Sequence, residues 1–128
     1  MTVEERLRAC VEAVCPACGG YPYDCNDGDY IAWQATGDTL TLSAGDNALR
    51  IESGYRLVIT SRGGYEQLKI RLYGALIAAG FQLVRMGGEA YDDAKGEFKW
   101  PIDVSYAYDF LTAYEEAESA SESEEKNA

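Results

Sequence analysis

The sequence predicts an α+β domain. It has a mostly antiparallel or mixed sheet of four to five strands with two helices packed on one face, in the order α-β-β-β-α-β-β. Three observations carry that prediction. Two stretches place apolar residues at helical spacing. One long stretch, Phe98 to Phe110, alternates apolar with other residues. No βαβ unit repeats along the chain, so an all-parallel sheet is not required. The 128 residues fit one domain, long enough to bury a core without disulfides or metals.

The first helix follows from its start signal. Thr2-Val3-Glu4-Glu5 reads as a capping box, with Thr2 at the N-cap and Glu5 at N3. Val3, Leu7, Cys10, Val11 and Val14 then recur at helical spacing, giving a helix from about Val3 to Val14. Pro16, Gly19, Gly20 and Pro22 end it and open a loop. Residues 30–34 form a short β-prone run, Thr36-Gly37-Asp38 a turn, and residues 39–42 a second run. Another turn is expected over 44–48, then a longer strand from Leu49 to Thr60 in which Gly54 suggests a bulge.

Gly63-Gly64 breaks the chain before the second helix. On it Tyr65, Leu68, Leu72, Ala75, Leu76 and Ala79 form one apolar stripe, and Ile70, Tyr73 and Ile77 form a second beside it. The second stripe is either a broad core contact or a face for another subunit. Gly80 sits where a C′ glycine belongs, and residues 81–86 form the next strand. Residues 91–98 read as a hairpin turn around Asp92 to Gly96. Phe98, Trp100, Ile102, Val104, Tyr106, Tyr108 and Phe110 then occupy alternate positions, a long strand with one buried face. Pro101 has no N–H, which predicts an edge or a bulge there. A domain of residues 1–114 is expected, followed by an acidic, disordered tail over 115–128.

Charge and composition narrow the function classes. The net charge is −11; the last fourteen residues carry six Glu and one Lys, leaving −6 on residues 1–114. Phosphate-driven affinity for nucleic acid is not expected of such a chain. No histidine is present, which removes the usual general base and the commonest metal ligand. No apolar run is long enough to span a bilayer, and the charged N-terminus has no signal core, so a cytoplasmic product is expected. No G-x-S-x-G, P-loop or G-x-G-x-x-G motif occurs, and no catalytic residue or enzyme activity is expected.

The four cysteines fall within sixteen residues, at Cys10, Cys15, Cys18 and Cys25. A tetrathiolate zinc site pairs two C-x-x-C knuckles across a longer span, whereas this chain has one, Cys15 to Cys18. Cys10 lies on the apolar stripe of the first helix and reads as a core residue. The expectation is therefore no metal and no cofactor. The alternative is a small zinc or iron–sulfur module built on those four residues. Residues 24–29 lack the glycine and glutamate positions of a calcium loop. Asp92, Asp93 and Glu97 read as a solvated hairpin tip.

The ordered set of elements resembles a known family. Tyr30-Ile31, the strand ending at Ile59-Thr60, and the helix "YEQLKIRLYGALIAAGF" closing on Gly80-Phe81 carry the resemblance. So do Tyr91-Asp92 with Gly96-Glu97-Phe98, and the closing strand over 101–106. Together these features resemble the tail-terminator and tail-completion (tail-to-head joining) proteins of long-tailed bacteriophages, over about residues 1–110. The cysteine-rich loop over 15–25 departs from that pattern. The resemblance implies a virion protein of the tail neck, assembled in the host cytoplasm. It implies a homohexameric ring that caps the tail tube, ends its polymerisation and joins the head connector. Its implied partners are further copies of itself, the major tail tube protein and a head-completion or connector protein. DNA passes through the lumen without specific binding, and no membrane is involved. Ile70, Tyr73 and Ile77 are the expected subunit interface.

Overall fold

A computed structural model describes residues 2–24, 28–42, 49–63 and 66–126. The expected turn over 44–48, Gly64, Tyr65 and Cys25 lie outside the described residues. The elements run α1 (Val3–Val14), β1 (Cys18–Gly20), β2 (Tyr30–Leu42), β3 (Leu49–Ser61), α2 (Glu66–Ala78), β4 (Gln82–Met86), β5 (Ala90–Asp92), β6 (Glu97–Asp109) and α3 (Phe110–Lys126). The class is α+β, as expected. Among the described residues the sheet is mixed and six-stranded, ordered β1-β2-β3-β6-β4, with β5 also on β6.

α1 begins as its sequence predicts: Thr2 is the N-cap, and the Glu5 N–H donates to Thr2 Oγ1 at 3.1 Å. Leu7 and Val11 are buried, while Val3, Cys10 and Val14 pack against the core. α2 packs against α1 and buries Leu72 and Leu76. It ends at Gly80, whose φ of +96° is left-handed and free of strain only for glycine. The Gly80 and Phe81 N–H groups donate to Ile77 O and Leu76 O, closing the last turn.

The covered face of the sheet supplies the rest of the core. Ile31 and Trp33 of β2, Leu57 and Ile59 of β3, and Ile102 and Val104 of β6 are all buried. They lie in matching rows: Ile31 beside Ile59 beside Trp100, and Trp33 beside Leu57 beside Ile102. Burial of such side chains contributes about 1.5–3 kcal/mol each. On the face without helices Arg56 donates to Asp103 at 2.8 and 3.3 Å.

Four expectations need correcting. The two runs at 30–34 and 39–42 are one strand, β2. The intervening Thr36 is a bulge between Ala35 and Gly37, and Gly37 takes a φ of +134°. The bulge lies on β2 rather than at Gly54; Gly54 faces it, and a Cβ there would meet Thr36 Oγ1 at 2.5 Å. The extra residue keeps Leu40 on the same face as Trp33 despite the changed parity. Secondly, the cysteine loop contains β1, which runs parallel to β2.

Thirdly, Pro101 lies inside the sheet, paired to Val58 of β3. Its carbonyl accepts from the Gly87 N–H, so the side where its own N–H is missing faces the gap between β4 and β5. Gly87 makes room for the ring: a Cβ there would meet Pro101 Cγ at 2.6 Å. Fourthly, there are three helices among the described residues. Phe110 leaves the strand to start α3, whose N-terminus Asp109 caps by accepting from the Thr112 N–H at 2.9 Å. α3 reaches Lys126, where a disordered tail is expected from residue 115.

Candidate assembly surface

The second apolar stripe of α2 divides in the structure. Ile70 and Ile77 are seven residues apart, so they lie within about 20° of each other around the helix. Both are exposed, at 65% and 60%. Tyr73 turns inward instead: its hydroxyl accepts from Trp100 Nε1 at 3.0 Å and it packs against the core. Lys69 Nζ lies 4.3 Å from the centre of the same indole. Of the three expected interface residues, then, Tyr73 braces the helix on the sheet, and Ile70 and Ile77 remain available for a partner.

Their direction is fixed by the packing. α1 contacts β1, α2 contacts β4, and the helices contact each other, so their order follows the sheet from its β1 end to its β4 end. One flank of α2 therefore meets α1. The opposite flank, carrying Tyr73 and then Ile77 and Ile70, looks toward the β4 side. On that side Val84 and Met86 are 65% and 54% exposed, and Tyr91 of β5 is exposed as well. Sequence reasoning missed these three. Val84 is the extra residue of a bulge between Leu83 and Arg85, which breaks the alternation that would have flagged a one-sided strand. Met86 shares a row with buried Ile102 but lies in the last strand of the sheet.

Burial of large apolar side chains like these is favourable, and their clustering on one side is what an interaction surface requires. Leu40 of β2 and Leu111 and Tyr114 of α3 are also exposed. On the helix-free face a hollow of about 200 Å³ is lined by residues including Tyr21, Tyr23, Tyr30 and Lys99.

The thiols are placed by packing. Cys15 is buried and its Sγ donates to Ala17 O at 3.4 Å and Asp29 O at 3.7 Å. Cys10 packs on the core from α1, and Cys18 does so from β1. Burial pushes the Cys10 thiol above its ordinary 9.0. Cys18 is also raised, first by burial, then by Glu12 and Cys15. Among the described residues no three His, Cys, Asp or Glu side chains gather as a metal site needs. Asp92 belongs to the hairpin turn, where its Oδ1 accepts from the Ala94 N–H at 3.0 Å. Glu97, expected at a solvated tip, is buried at the start of β6.

No protein-family model matches the chain, and no curated protein matches it. Among solved structures, it is similar to a chain in the virion of a native gene transfer agent particle. The TM-score is 0.52 at 10% identity, over 84% of this chain and 91% of that chain. The likeness is one of fold, and it spans most of both chains.

Proposed function

We propose that this chain is a structural virion subunit of the tail-terminator class. Copies of it form a ring that caps the tail tube, stops its growth and presents the joint to the head connector. DNA passes through the lumen without being held. The observation that carries the reading is the fold shared, over most of both chains, with a component of a gene transfer agent virion. The exposed apolar side formed by Ile70, Ile77, Val84 and Met86 supports it, because a head-to-tail contact that closes by rotation generates a ring. The acidic balance supports it too, since a strongly negative ring does not retain the DNA that passes through it.

Electron microscopy of particles made with and without this protein tests the role. Without it, tails of irregular, excess length that fail to join heads are expected. Tails of normal length that attach normally to heads would overturn the reading.

A further inference from the structure

Among the described residues the sheet is open at both ends, with β1 unpaired on one side and β4 on the other. β1 runs parallel to β2, and each later neighbour, β3, β6 and β4, reverses direction. β1 and β4 therefore run in opposite directions. A rotation about an axis along the strands preserves those directions. Such a rotation brings β4 of one copy antiparallel to β1 of the next, the more stable pairing per residue.

The backbone groups on offer also match. Successive residues of a strand send their N–H and C=O to alternate sides. Ala17 O accepts from the Ile31 N–H, and the Tyr21 N–H donates to Trp33 O. Residues 17, 19 and 21 therefore point at β2, and Cys18 and Gly20 point outward. On the other edge the Gly87 N–H donates to Pro101 O, so Met86 and Gly88 point outward. Gly20 and Met86 belong to one row across the sheet, through Trp33, Leu57 and Ile102.

We propose that copies of this chain join through an antiparallel ladder between β4 and the β1 of the next copy, with Met86 opposite Gly20 and Gly88 opposite Cys18. The proposal rests on the ring reading above and names its contact. The ladder ends naturally above this pair, where the Val84 bulge meets Pro22, which has no N–H to donate. The same register sets Arg85 opposite Tyr21. Both are exposed in the single subunit, Tyr21 at 72%, and both lie on the helix-free face. A guanidinium over an aromatic ring is attractive.

Cysteine cross-linking tests the register. Gly88 has open space around the position of a Cβ and no left-handed φ, so Gly88→Cys is tolerated by the fold. In the ladder its thiol faces Cys18 of the next copy at about 5.5 Å between Cα atoms, within the disulfide range of about 4.4–6.8 Å. Full-length Gly88→Cys protein, oxidised alone at high concentration and in assembled tails, is expected to give a multimer ladder on non-reducing gels. Reduction collapses the ladder, and adding Cys18→Ser abolishes it. Arg85→Glu in the same background is expected to lower the yield severalfold with the unfolding midpoint unchanged. Tails capped at normal length without a Cys18-dependent ladder overturn this contact and leave the ring reading standing. A cross-link to the tail tube protein in place of the ladder also overturns it. A Cys18-dependent ladder from a protein whose absence leaves tail length unchanged supports the contact and overturns the terminator role.

Discussion

The thiols show how one residue's surroundings set its chemistry. Thiolate, not thiol, is the nucleophile and the metal ligand. Burial holds Cys10 and Cys18 protonated above their ordinary 9.0. The folded chain keeps those protons to higher pH than the unfolded chain does. Their contribution to stability is therefore complete below pH 9.0 and is lost as pH climbs through the raised values. The urea midpoint is expected to be flat from about pH 7 to 8 and to fall above about pH 9. Tyr55, also raised by burial, extends the fall. Alkylation of Cys10 and Cys18 at pH 8, followed by mass spectrometry, should run slower than that of a free thiol; equal or faster labelling would contradict the assignment. At this scale the sequence was informative where a rule is local. The Thr2 cap and the Gly80 terminus are each decided by their own few residues. Pro101 was misleading because its missing N–H is accommodated by Gly87 and by the interruption between β4 and β5, which no local pattern reveals.

Elements were legible in proportion to their length and regularity. β6 announces itself through its long alternation, and α1 through its stripe. β2 reads as two runs because Thr36-Gly37-Asp38 has turn composition, and only pairing with β3 shows that the same residues make a bulge. β1 is three residues long, Cys-Gly-Gly, with no periodicity to read; it exists because β2 offers it a parallel edge. α3 is the other surprise, and its composition explains why. Residues 115–121 are all exposed, so that stretch of the helix is not held by burial. Truncation after Tyr114 should therefore cost no more than about 1 kcal/mol, measured by thermal unfolding of the shortened chain. The Asp109 cap and the ring contact of Phe110 with Tyr114 remain in that chain. A fall of many degrees in the midpoint would mean that the helix docks on the body through the hollow lined by Thr2, Val3, Ala113 and Ala117.

At the scale of the whole molecule, the decisive contrast is between α2 residues that hold the subunit together and those that do not. Leu72 and Leu76 are fully buried, and truncating either to Ala should cost about 2–5 kcal/mol. Ile77 is 60% exposed, so Ile77→Arg removes little burial from the isolated subunit. Its unfolding midpoint should stay close to that of the parent chain. The sequence alone gave two apolar stripes and no means of separating them. The division appears only once Tyr73 is seen bonded to Trp100, which leaves Ile70 and Ile77 facing the β4 side. In the proposed ring the arginine would be forced toward a neighbouring copy, and an unpaired charge buried there costs several kcal/mol. Closing the ring repeats that cost at each contact, so a modest penalty at one interface suffices to prevent closure. The expected outcome is a folded protein, by circular dichroism and thermal unfolding, that fails to restore normal tail length in particles lacking the parent chain. Restoration of normal tail length by Ile77→Arg would remove the α2 flank from the interface. Loss of folding would instead show that Ile77 belongs to the core, and the exposed variant Ile70→Arg then decides between the two.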